Sequence, residues 1–225
     1  FEPENDIDVR IVAVGTGQAL RNAKKCDAEL VIDHSKIDEE KFVTDGFGSQ
    51  RHDLMYNDFI LVGPKNDPAQ IGTAKTTIEA FQKIAAAKAR FASRSDDSGT
   101  NKAERRFWQA ARTTPTNASG KWYLETGLGM GATLNFAVQA DAYALTDRAT
   151  WLTFKNKTTH MPLFQGDPAL FNQYGVVLVS QIHCPTIKAA ESRIFANWLL
   201  SPKGQTAIAA FQPANRPLFF PNATP

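Results

Sequence analysis

Three short turns in the sequence carry the groups that could do chemistry. Gly15-Thr-Gly-Gln18, Asp96-Asp-Ser-Gly-Thr100 and Gly129-Met-Gly-Ala-Thr133 each place glycines and hydroxyls where one element ends and a helix is expected to begin. The first four N–H groups of a helix lack an intrahelical acceptor, and its N-terminus carries about half a positive charge, so such an end takes up an anion. Glycine lets the backbone come close, and Ser or Thr adds donors. The candidate donors are Thr16 and Gly17 in the first turn, Ser98, Gly99 and Thr100 in the second, and Gly131, Ala132 and Thr133 in the third. Arg94, just ahead of the second turn, is a candidate charge-assisted donor. Neutral donors with a single arginine suit a small tetrahedral oxyanion that must later be released. Ordinary helix capping produces the same turns one at a time, and Arg94 suits a salt bridge to Asp96 or Asp97 equally well. Periodicity does not show whether the three turns converge.

Other chemistries find less support. Gly15-Thr-Gly17 matches the start of the dinucleotide fingerprint, but Leu20 holds the third glycine position, and no phosphate loop of the G-x-x-x-x-G-K-[ST] type is present. Asp96 and Asp97 would be two ligands toward an oxygen cage that needs about six. Ser98 lies in no G-x-S-x-G elbow, and most of the four histidines, His34, His52, His160 and His183, read as surface or loop residues. Neither an enzyme nor a cofactor motif emerges. Cys26 and Cys184 form no CxxC pair; a disulfide and two buried thiols both remain open. Hydrophobic residues at 43% and charged residues at 21% place the chain among folded globular proteins. The net charge of +2 comes from scattered basic residues, with only Lys24-Lys25 and Arg105-Arg106 adjacent, so no nucleic-acid interface is indicated. Asn117, Asn156 and Asn222 begin glycosylation sequons, the last completed by Thr224.

The elements that must position these turns alternate. Val9–Val14 reads as a strand, followed by a helix to about Lys25 and a strand at Ala28–Asp33, which together predict a βαβ unit with parallel strands. Further helices are expected at Ile37–Thr44, Thr76–Lys88 (Ile78, Phe81 and Ile84 on its buried face), Gly99–Ala111, the segment from Gly129 to Ala140, and Ile187–Leu200, with one more short helix after Gly204. Strands are expected at Asp58–Gly63, Arg90–Ser93, Tyr143–Thr146 (ending in a turn at Asp147-Arg148) and Gly175–Ile182, with a loop over Thr113–Gly120.

Taken together and in order, Val12-Ala-Val-Gly-Thr-Gly-Gln-Ala-Leu20, Met55-Tyr-Asn-Asp-Phe59, Val62-Gly-Pro64, Ser93-Arg-Ser-Asp-Asp-Ser-Gly-Thr100, Gly129-Met-Gly-Ala-Thr-Leu134, Leu145-Thr-Asp-Arg148 and Leu218-Phe-Phe-Pro-Asn222 resemble the tungstate-binding proteins of Tup-type ABC importers. The resemblance spans nearly the whole chain. It implies an α/β, two-lobed type II periplasmic-binding fold with the ligand in a cleft between lobes: one lobe from 1–58 and 173–225, the other from 59–172. It implies an extracytoplasmic, monomeric binding protein for tungstate or molybdate that delivers to a membrane permease. The two cysteines would share the first lobe. A non-transport homologue, or an enzyme on the same scaffold with another anion or a metal, is the alternative. Two departures stand out. Ser95 and Asn101 replace a glycine and a histidine of the family pattern. The family also begins with a strand and a Thr/Ser-rich anion loop ahead of the segment matching Phe1, so either such a segment precedes Phe1 or one wall of the site is absent; the intact remaining motifs favour the former.

Overall fold

A computed structural model describes residues 1–213 and 215–223; Thr224 of the last sequon lies outside them. Along the chain run α1 (Glu2–Asn5), α2 (Thr16–Lys24), β1 (Leu30–Asp33), α3 (Lys36–Thr44), β2 (Gly48–Pro64), α4 (Thr77–Ala87), β3 (Phe91–Ser93), α5 (Gly99–Ala110), β4 (Tyr123–Glu125), α6 (Met130–Gln139), β5 (Ala144–Asp147), α7 (Arg148–Thr153), β6 (His160–Phe164), β7 (Phe171–Val179), α8 (Ala189–Leu200), α9 (Pro202–Ala210) and β8 (Phe220–Pro221). The chain forms two compact units, Phe1–Tyr56 with Gln173–Pro225, and Asn57–Asn172. It passes from the first to the second within β2 and returns within β7. No helix among the described residues is long and apolar enough to cross a membrane.

In the first unit β1 pairs antiparallel with β7, from Leu30 opposite Leu178 to Asp33 opposite Gly175, and β8 pairs with β2 at Met55 and Tyr56. Successive β7 residues point to opposite faces. Val177 and Val179 therefore pack with Leu20, Ala23 and Phe42, while Val176 and Leu178 pack with Leu54, Ala196 and Leu199. Both faces of this half of β7 are covered, which is why Val176–Val179 is a continuous apolar run rather than an alternation. A disulfide between Cys26, just past the end of α2, and Cys184 joins the two chain segments of this unit across 158 positions.

The expected strand at Val9–Val14 does not form, and with it goes the parallel βαβ unit: β1 has an antiparallel partner instead. Ile11 and Val12 are 85% and 69% exposed. β-branched residues only favour a strand. Its N–H and C=O groups still need a neighbouring strand, and among the described residues none pairs with this segment; the Val9 N–H goes to Glu2 Oε1 instead.

In the second unit β2 lies between β5 and β6, antiparallel to both, with Leu61 opposite Leu145 on one side and Phe164 on the other. β3 and β4 run parallel. Alternation along β2 sends Phe59 and Leu61 into an aromatic core with Phe81, Phe91, Trp108, Tyr123 and Tyr143, and Ile60 and Val62 into a second core with Leu134, Ala137 and Trp151. Helix α4 buries Thr77, Ala80, Phe81 and Ile84 but leaves Ile78 40% exposed, so its buried stripe is rotated from the expected one. The expected turn at Asp147-Arg148 is instead the start of α7: Asp147 Oδ1 accepts the Thr150 N–H at 2.8 Å, an N-cap, and Arg148 forks onto Asp58. The expected loop at Thr113–Gly120 contains one 3-10 turn, Pro115–Ala118. His160 is buried rather than at the surface, with Nε2 on the Ala142 carbonyl at 3.0 Å.

Candidate functional site

The two helix starts of the second unit are tied to one strand end. Ser93 closes β3, and its carbonyl accepts both the N–H and the Oγ1–H of Thr126, each at 2.9 Å. Thr126 Oγ1 in turn lies 3.0 Å from Thr133 Oγ1 near the start of α6, and the one hydroxyl hydrogen of Thr133 is shared between Thr126 Oγ1 and the Leu128 carbonyl at 3.1 Å. The structure thus brings the start of α6, with Gly131, Ala132 and Thr133, alongside the strand that leads to Arg94, Ser98, Gly99 and Thr100. Thr16 and Gly17 belong to the first unit, at the start of α2.

The three starts differ in how their N–H groups are met. Helix α5 has a conventional N-cap, Ser98 Oγ accepting the Asn101 N–H at 3.3 Å, which leaves the N–H groups of Gly99 and Thr100 without an intrahelical acceptor. Helices α6 and α2 begin at Gly129 and Gly15 with no side-chain cap at all. At α6 the first intrahelical bond runs from Thr133 N–H to the Gly129 carbonyl, so the N–H groups of Met130, Gly131 and Ala132 are uncapped. Gly131 and Ala132 are exposed, and a methyl added at Gly129 or Gly131 would meet nothing within 4 Å. At α2, Thr16 and Gly17 are buried.

Asp96 organises the turn before α5. Its Oδ2 accepts Arg94 Nη2 at 2.6 Å and Nε at 3.2 Å, and its Oδ1 accepts the Ser98 hydroxyl at 2.6 Å and N–H at 3.2 Å. Arg94 is therefore held in place by a salt bridge that uses Nε and one hydrogen of Nη2, leaving Nη1 and the second Nη2 hydrogen for any further acceptor. Asp97 pairs with Lys102 at 3.0 Å. Ser95 and Asp97 have φ of +47° and +58°. Both are left-handed conformations that glycine adopts without cost, which accounts for the family's glycine at the position of Ser95.

Beneath this turn lies a carboxyl that the motif reading did not single out. Glu104, 2% exposed, accepts Ser93 Oγ at 2.8 Å, Tyr123 Oη at 2.8 Å and Trp108 Nε1 at 3.1 Å. Burial pushes its pKa up to about 7, against the opposing effect of these donors. The signal was present: Asn101, Glu104 and Trp108 follow helical spacing on the buried face of α5, where an ionisable residue is out of place. Thr126 was missed because it follows β4, a strand too short to show in the sequence pattern. In the first unit Asp33 and Glu39 are also buried. Arg51 Nε reaches Glu39 at 2.5 Å, and burial foremost raises both carboxyls.

Cys26, His183 and Cys184 bring ligand-type atoms within 4.8 Å of one another, but the two sulfurs are joined to each other. No sequence-predicted site residue takes part in that group.

A family model described as the PBP superfamily domain matches residues 1–203. The tungstate-binding protein TupA of Peptoclostridium acidaminophilum is 41% identical over 99% of this chain and 78% of its own length. The TupA of Campylobacter jejuni is 34% identical over 97% and 82%. A relative from Haloferax volcanii is 40% identical, and the chain spans 66% of its length. Among solved structures, the tungstate-binding TupA of Desulfovibrio alaskensis superposes with a TM-score of 0.82 at 38% identity, covering 99% of this chain and 90% of that one. The tungstate ABC transporter structure from Geobacter sulfurreducens superposes at 0.81 with 43% identity, covering 93% and 88%.

Proposed function

This chain belongs to the PBP superfamily and, within it, to the TupA family, and from that premise we propose that it is an extracytoplasmic solute-binding protein that captures tungstate for an ABC importer. Molybdate, of nearly the same size and charge, is the second ligand in this reading, and the partner is the importer's membrane permease. The observation that carries the proposal is the start of α6: three uncapped N–H groups, open space at Gly129 and Gly131, and Thr133 beside Thr126, which is bonded to the Ser93 carbonyl at the strand end just before Arg94. In this reading the oxyanion accepts hydrogen bonds from the N–H groups of Gly131, Ala132, Gly99 and Thr100 and from Arg94, and the hydroxyls of Ser98 and Thr133, which here donate to Asp96 and to the Leu128 carbonyl, must turn to reach it. In the first unit the uncapped start of α2, at Thr16 and Gly17, offers donors of the same kind. A dianion at helix starts needs no counter-cation and no covalent step, so binding is reversible.

Thermal denaturation of the full-length protein with tungstate, molybdate, sulfate or phosphate tests the reading. A ligand at about 100 times its Kd stabilises the folded state by about 2.7 kcal/mol, a shift of several degrees. Stabilisation by tungstate is expected, and its absence for both tungstate and molybdate would sink the proposal. Losing a hydrogen bond from a charged group costs about 1.5–3 kcal/mol, so Arg94→Ala should weaken binding about 10- to 100-fold. Unchanged affinity would assign Arg94 to the Asp96 turn alone.

A further inference from the structure

The buried carboxyl of Glu104 has no part in capping or in the hydrophobic core, yet it sits at the junction from which both helix starts of the second unit hang. Its partner Ser93 Oγ also receives Asn101 Nδ2 at 3.4 Å from the first turn of α5, while the Ser93 carbonyl holds Thr126 and, through it, Thr133 of α6. Tyr123 Oη lies within reach of both Ser93 Oγ, at 3.0 Å, and Glu104 Oε1. We propose that Glu104 is the positioning residue that couples oxyanion binding to a proton: the protein takes the anion most tightly when this carboxyl is neutral, and binding drives proton uptake there. The inference rests on the oxyanion-binding reading above.

The surroundings leave Glu104 as the group that must respond. From its own helix it meets Trp108 and Asn101, both neutral, while Arg105 and Arg106 lie on the exposed side. From β3 it meets Ser93, and the arginine that follows is engaged by Asp96. From β4 it meets Tyr123, whose pKa is raised by burial and by Glu104 itself; Glu125, two residues on, is exposed and accepts from Ser95 and Ser119. From α4 the neighbours in this core are Phe81 and Ile84, and the ionisable Glu79 and Lys83 pair with each other. Tyr143 turns its hydroxyl away, to Asp67. No cation faces the carboxyl from these elements. With a pKa near 7 and no counter-charge, it resists a second negative charge nearby by taking up a proton. The hydroxyl cage accommodates either state. In the ionised form Ser93 and Tyr123 both donate; once protonated, the carboxyl supplies one hydrogen and one hydroxyl turns round.

Calorimetric titration of the full chain with tungstate between pH 6 and 8.5, in two buffers of different ionisation enthalpy, tests this. A pKa displaced upward by about one unit on binding weakens the wild-type affinity about tenfold across that range, with net proton uptake near neutrality. Glu104→Gln keeps the shape and should bind with a flat profile and no uptake; the same slope and uptake in Glu104→Gln would overturn the inference. Should that variant fold poorly, the indole N–H resonance of Trp108 in the wild type reports the same carboxyl. It should titrate near pH 7 in the free protein and at higher pH with tungstate. No transition in the free protein, or no displacement by bound tungstate, overturns the inference. Failure of every oxyanion to bind would overturn the proposed function, while the free-protein titration still decides whether Glu104 changes charge near neutrality.

Discussion

The disulfide Cys26–Cys184 closes a loop of 158 positions that contains the whole of the second unit, and its contribution to stability depends on whether that unit is folded. In a fully unfolded chain, constraining so long a loop is worth about 5 kcal/mol on the chain-entropy estimate. If the second unit stays folded while the first opens, the flexible part of the loop is much shorter. Asn57 and Asn172, the ends of the second unit, are hydrogen-bonded through their side chains at 2.6 Å, so that unit acts as a short link in the loop. What remains flexible is Cys26–Tyr56 and Gln173–Cys184, about 43 residues, and the estimate falls to about 4 kcal/mol. Reduction should therefore destabilise the first unit by about 4 kcal/mol and leave the second unchanged. The assay is urea denaturation of 5-fluorotryptophan-labelled protein followed by fluorine NMR, with and without a phosphine reductant. Trp198 is the single tryptophan of the first unit, and Trp108, Trp122 and Trp151 report the second. A change below about 2 kcal/mol at Trp198, or an equal change in all four signals, would refute the reasoning.

Two further outcomes follow from buried groups. Burial and the adjoining Asp33 push Glu39 up to about 9 from 4.5, so between those values the folded unit holds a proton that the unfolded chain has released, and stability falls as pH rises. Glu39→Gln should flatten that decline in unfolding free energy measured from pH 5 to 9, and an unchanged slope would remove Glu39 as its source. In the second unit a methyl at Gly63 would overlap the ring of fully buried Tyr143. Gly63→Ala should cost about 1–3 kcal/mol in urea denaturation, and a wild-type midpoint would show that the ring can move aside.

Most of the helices were legible because their apolar spacing is set by contact with one face of a core, and the start of α5 was legible because Ser98 is a capping residue. What escaped the sequence depended on partners far along the chain. Val9–Val14 has the composition of a strand, but composition says nothing about whether a neighbour is there to bond it. β7 pairs with β1 across about 145 positions, and no local pattern reveals that the pair is antiparallel. β4 has three residues and carries Thr126 just past its end, so the bridge between the two helix starts was invisible. The nine candidate ligand residues could be named from turn chemistry, whereas Glu104 could be found only by asking why a carboxylate shares a helix face with Trp108.

Helices α2 and α6 both begin at a glycine with no side chain closing the first turn. A serine or aspartate there would add a side-chain cap and stabilise each helix by roughly a few tenths of a kcal/mol. The same side chain would occupy the donors that the proposed ligand needs. Selection for heat resistance alone would favour a capping residue at Gly15 and Gly129 and, in the proposed reading, weaken the hold on the anion. In the proposed reading these two glycines are where durability and reception draw on the same few N–H groups, and they are the positions an engineer should leave untouched.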